Sequence, residues 1–204
     1  LTKEDLGLLL YFLKSPTDAN YKIFADRKSE IVQIMSEDIY KQFDANIKVS
    51  KFLEASLDQK TGIINDDEFY KNATPLIGKA DAETALNRMK VLYYPNVNNF
   101  EGYEKAALEY YKVSENFDPE ELLKAAWIFS ENITTPSSLK KAEEWAEKSV
   151  MKSETTENTY ILAKLYSQSR KNDIAKMYAE ISKDLAEKQG KDATLAKKLL
   201  ETLK

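Results

Sequence analysis

The sequence predicts an all-α protein built from antiparallel helix pairs, with three observations behind it: sparse punctuation, small residues at a fixed interval, and repeated helix-start signals. Five glycines and five prolines punctuate 204 residues, too few for the many turns of an all-β chain. Ala142, Ala146 and Ser149 stand at one spacing, and Ala175, Ala179 and Ser182 repeat it 33 residues later. Small side chains three or four positions apart mark a helix face that lets a neighbouring backbone come close. A partner pattern precedes each set: Leu122, Ala125, Ala126 and Phe129 before the first, Thr159, Leu162, Ala163 and Tyr166 before the second.

The start signals place the elements in order. Thr2 with Asp5 forms a capping-box pattern that opens a helix carrying Leu6, Leu9, Leu10 and Leu13. Ser15-Pro16 reads as N-cap and first helical position of the next segment, which breaks near Asp26. Ser36 caps a longer helix with Ile39, Tyr40, Phe43 and Ile47 along one side. A loop from Asp58 to Asp67 follows, then a helix with Phe69, Tyr70 and Ala73 that Pro75 must kink or end. Ala82, Ala85, Leu86, Met89, Leu92 and Tyr93 fall on one helical face closed by Pro95. Phe100 to Val113 carries another. Asp118-Pro119, with Glu121 completing a box-like start, and Thr135-Pro136 open the first clear pair. The turn Lys171-Asn172-Asp173 divides the second pair, and Gly190 stops it. Leu195, Leu199 and Leu203 form the stripe of a final capping helix. About ten helices and no credible strand follow from these periods.

A helix-turn-helix unit recurring near every 34 residues resembles the tetratricopeptide repeat. That resemblance implies a right-handed α-solenoid over residues 96–204, with a less regular helical region over 1–95, together one continuous domain. Ala106, Tyr110 and Val113 fit a third, degenerate repeat.

Composition removes whole classes of function. With no cysteine and no histidine, there is no thiol nucleophile, no zinc-thiolate site and no imidazole base. An enzyme built here would rest on carboxylates, lysine, tyrosine or serine. The net charge is −4 with both signs mixed, so no basic stripe exists to neutralise nucleic-acid phosphates. No apolar run is long enough to cross a bilayer.

Other candidate chemistry reads as ordinary surface. Gly62, Ile64 and Glu68 fall at positions 6, 8 and 12 of an EF-hand loop, but positions 1, 3 and 5 would be Leu57, Gln59 and Thr61, none of them a carboxylate. Asp66, Asp67 and Glu68 suit a helix start. Glu143-Glu144 and Glu120-Glu121 read as solvated faces with lysines nearby. The tyrosines at 93, 94, 103, 110 and 111 fill gaps between helices, and Trp145 packs between repeats. Asn132-Ile133-Thr134 is a glycosylation sequon, relevant only in a glycosylating host. No cofactor or metal site is expected.

In a tetratricopeptide-like pair the first helix faces the concave surface. Laid over this sequence, that turns Leu123, Trp127, Ser130 and Glu131 inward on one helix, and Tyr160, Lys164, Ser167 and Gln168 inward on the next. Trp127 and Tyr160 would anchor a peptide, since large aromatics dominate interface energetics, and Lys164 would hold a carboxylate. Aromatic content also fits a carbohydrate or small-molecule binder, and a carboxylate-based enzyme is the remaining alternative.

A second resemblance reaches further. Leu1-Thr2-Lys3-Glu4-Asp5, Ala125-Ala126-Trp127-Ile128-Phe129, Ala142 to Val150, and Asn158-Thr159-Tyr160 with Ala163-Lys164-Leu165-Tyr166 together resemble the C-terminal helical region of bacterial thioredoxin-like proteins. That implies a redox domain upstream of Leu1, an exported, periplasmic or envelope-associated parent, and a non-catalytic interaction role here. The partner would be a peptide, the upstream domain, or a second copy of the chain. The family's Cys-x-x-Cys pair has no counterpart in this sequence, so none of its catalytic residues carries over.

Overall fold

The computed structural model describes residues 1–203. Within them lie twelve α-helices and no strand, apart from a lone antiparallel bridge between Leu57 and Ile64. The chain divides into two compact units, Leu1–Met89 and Lys90–Lys204, with the boundary inside the sixth helix.

The first unit holds α1 (Lys3–Phe12), α2 (Ala19–Asp26), α3 (Lys28–Met35), α4 (Glu37–Ser56), α5 (Asp66–Ile77) and most of α6 (Lys79–Tyr93). Thr2 and Asp5 form the capping box, each side chain accepting the other's backbone N–H at 3.1 and 3.0 Å. Ser15 is not the cap of α2. The helix starts later, after Asp18, whose carboxylate accepts the N–H groups of Lys14 and Ser15 at 2.8 Å each. The Ser15 hydroxyl accepts the Thr17 N–H at 3.3 Å, within the turn that precedes α2. Pro75 sits in the last turn of α5, which ends at Gly78 in a left-handed conformation. In the loop before α5, Asp58 accepts the N–H groups of Lys60 and Thr61, so its carboxylate serves the turn. Leu6, Leu13, Phe24, Ile31, Tyr40 and Ile47 make the core, with the Phe24 and Tyr40 rings stacked 4.4 Å apart.

The second unit holds α7 (Phe100–Tyr110), α8 (Pro119–Asn132), α9 (Pro136–Lys152), α10 (Thr156–Gln168), α11 (Asn172–Lys188) and α12 (Thr194–Thr202). On the last turn of α6, Val91 is buried and Leu92 exposed, the reverse of the sequence expectation. Beyond Met89 that helix belongs to the second unit and buries a different side. A 3-10 turn, Tyr94–Val97, leads into α7. There Gly102 works by absence of bulk: a Cβ would stand 2.6 Å from the Tyr94 ring.

Asp118 and Pro119 open α8 as N-cap and first residue, the Asp118 carboxylate accepting the Glu120 N–H at 2.8 Å. Glu121 does not complete a box. Its carboxylate accepts the Tyr111 hydroxyl at 3.2 Å instead. Helix α8 packs on α9, α10 packs on α8, α9 and α11, and α12 packs on α10 and α11. Ala142, Ala146, Ser149, Ala175, Ala179 and Ser182 are all buried at these contacts, as are Ala126 and Ala163. The interior between α7, α8 and α9 is an edge-to-face aromatic lattice: Tyr103 to Phe129 at 5.8 Å, Phe129 to Trp145 at 5.1 Å, Tyr111 to Trp145 at 5.4 Å. Gly190 ends α11 with φ of 65°. In α12 the buried positions are Ala193 at its cap and Ala196, while Leu195 is exposed, because the short last helix needs small residues to sit close against α10 and α11.

Candidate binding grooves

Helices α8 and α10 lie side by side, and polar groups fasten their C-terminal halves. The Lys164 ammonium is 2.6 Å from the Glu131 carboxylate, and the Gln168 amide donates to the Ser130 carbonyl at 2.8 Å. Lys164 is therefore already neutralised by a neighbour 33 residues away in sequence. Ser130 does not face outward: it is 2% exposed, and its hydroxyl donates to the Trp127 carbonyl one turn back, a local bond that helical serines make readily. Ser167 is half-buried beside this seam.

Toward their N-terminal halves the two helices part, leaving a groove of about 380 Å³. Leu123, Trp127 and Ile161 give it an apolar wall, and Glu120, Lys124, Lys152 and Glu157 stand among its polar lining. Trp127 is 51% exposed, an unusual degree of freedom for the residue type that most often anchors partners. Asn158 forms the floor: its amide donates to the Ser149 hydroxyl at 3.1 Å and the Ser153 carbonyl at 2.8 Å.

Tyr160 does not share that groove. It lines a second one of about 530 Å³ on the opposite flank of α10, with Ala193, Leu195 and Ala196 of the α12 segment and with Ser182 of α11. Partial burial and then the Glu131 charge raise the Tyr160 hydroxyl above its ordinary pKa, so it stays a neutral donor at physiological pH. Thr155 and Glu157 line both grooves, which makes the first turn of α10 the ridge between them. Sequence reasoning missed Glu157, Ile161 and Leu195. The first reads as a helix-start acid, the other two as core positions.

A different polar cluster sits where α9 meets the α10–α11 turn. Glu143 is 3% exposed, not a solvated surface acid, and its Oε2 accepts from the Lys171 ammonium at 2.5 Å. Lys171 also lies over the Tyr166 ring at 5.0 Å, and the Tyr166 hydroxyl donates to Glu147. Burial and the Glu147 bond push the Tyr166 hydroxyl well above its usual range. The cluster ties helices together and leaves no carboxylate pair facing an open cavity. Among the described residues, no helix is long and apolar enough to cross a membrane.

No family model, curated protein or solved structure matches the chain. The reading of its function rests on the two grooves and the residues that wall them.

Proposed function

We propose that the second unit is a non-catalytic peptide- or protein-binding module, with the α8–α10 groove as its primary contact. The single observation that carries this is the half-exposed Trp127 on a fastened two-helix platform, flanked by Leu123 and Ile161. A rigid aromatic beside apolar neighbours offers large contact area at small entropic cost. The successive packing of α8/α9 and α10/α11, with α12 following on both, supports reading the array as a right-handed tetratricopeptide-like solenoid with a capping helix. The resemblance to thioredoxin-like proteins adds a first partner to test, a redox domain on the same polypeptide in an exported parent. A second copy of the chain is the other protein partner to test.

The test is panning of a random heptapeptide library on the immobilised chain and on its Trp127→Ala form. Peptides carrying aromatic or aliphatic residues should enrich on the first and be lost on the second, with the melting temperature of the variant little changed. Equal recovery on both, or a large loss of stability, would return Trp127 to a packing role and end the groove reading.

A further inference from the structure

The grooves on the two flanks of α10 share Thr155 and Glu157, so they form one continuous surface crossed by a low ridge. We infer that this surface reads an extended peptide in which a lysine or arginine lies between two apolar residues three positions apart. The inference deepens the peptide-binding reading and rests on it.

Spacing comes from helix packing. Glu157, Tyr160 and Ile161 stand at i, i+3 and i+4 of α10, so Tyr160 leans toward one groove, Ile161 toward the other, and Glu157 lies one turn above both. Helix α10 lies between α8 and α12, packing on each. The floors of the two grooves are thus separated by roughly one interhelical distance, about 8–10 Å. A polyproline II segment places every third side chain on one face and rises about 3.1 Å per residue, so residues i and i+3 stand about 9 Å apart. A β-strand offers same-face positions only about 6.6 or 13 Å apart and fits worse.

Charge comes from Glu157. Its carboxylate sits on the ridge and makes no hydrogen bond or ion pair among the described residues. Of the other charged groups lining the grooves, Lys152 is 3.7 Å from Asp118, Asp192 is engaged by Thr194, and Glu120, Lys124 and Lys191 line one groove each. The residue between the two anchors projects from the side of such a segment, and a lysine or arginine there is long enough to reach the Glu157 carboxylate, which repels an acid. Apolar side chains on either side enter the Leu123–Trp127–Ile161 groove and the Tyr160–Leu195–Ala196 groove.

Fluorescein-labelled peptides with the cores Leu-Lys-Pro-Leu, Leu-Glu-Pro-Leu and Leu-Lys-Leu, each flanked by Gly-Ser, test this by anisotropy at low salt. The full chain should bind the first about tenfold tighter than either other. Glu157→Lys should reverse the order of the first two, and Glu157→Gln should level them. If all three peptides bind alike and only Trp127→Ala weakens them, the peptide-binding reading stands and the charge-and-spacing inference falls. If Trp127→Ala changes nothing, or no peptide binds, both fall.

Discussion

In Leu1–Met89 the core is made by large side chains on mostly short helices, whereas in Lys90–Lys204 the aromatic lattice between α7, α8 and α9 stands beside helix seams of alanine and serine. The first arrangement spends its aromatics inward: Phe24 and Tyr40 stack at its centre, and Tyr21 and Phe43 pack around them. The second lets backbones approach at Ala126, Ala142, Ala163 and Ala175, so the contact needs no large residue from the outer faces of α8 and α10. Leu123, Trp127 and Tyr160 are thereby left for a surface role. Close backbone packing is what leaves an aromatic free to face outward.

The sharpest way to break that comparison is to empty each core. Phe129→Ala, which removes the centre of the aromatic lattice, should cost about 3–5 kcal/mol, and Phe24→Ala a similar amount. Denaturant midpoints check both, and a near-silent Phe24→Ala would show that the first unit lacks the tight centre described. Overfilling the small-residue seam comes next. Ala163→Leu should cost about 1–3 kcal/mol, read as a lowered melting temperature; an unchanged value would deny the close approach. Lys171→Met should cost about 1–3 kcal/mol by leaving the buried Glu143 carboxylate without its partner, discounted because the lysine is partly exposed. Adding Glu143→Gln should recover most of that loss, and failure to recover it would put the cost in packing.

The smallest effect belongs to the first unit. The Arg27 guanidinium beside it holds the Glu30 carboxyl below its usual 4.5. A depressed folded-state pKa contributes stability that is complete above the unpaired value and drains as pH falls toward the folded one. The Glu30 carboxyl resonance should accordingly titrate below 4.5, with this pairing lost as pH falls through that lowered midpoint. A midpoint near 4.5 would mean that the exposed pair is not held in solution.

Much of the fold was legible because caps and seams are local. Thr2 with Asp5, Ser36, Asp118-Pro119 and Gly190 act within a few residues, and the alanine spacing repeats within one helix. Ser15 misled because a Ser-Pro pair reads alike whether it opens a helix or the turn before one, and here it opens the turn. Leu195 misled because a leucine at helical spacing looks the same whether it faces a core or a groove. The site was readable in its residues and not in its partners. Trp127 and Tyr160 could be named, but the flank each faces depends on the order of α8, α10 and α12. The Lys164–Glu131 and Lys171–Glu143 pairs join positions 33 and 28 residues apart, beyond any local pattern.

Gly102 has a consequence of its own. Its backbone is ordinary helix, so the demand there is steric alone, with the Tyr94 ring and the Asn99 amide both within 3 Å of where a first side-chain carbon would go. Even alanine, the residue most at home in a helix, would have to evict a ring from the entrance to α7. Glycine there acts as a socket, and a drifting lineage could refill that socket only by rebuilding the turn that plugs it.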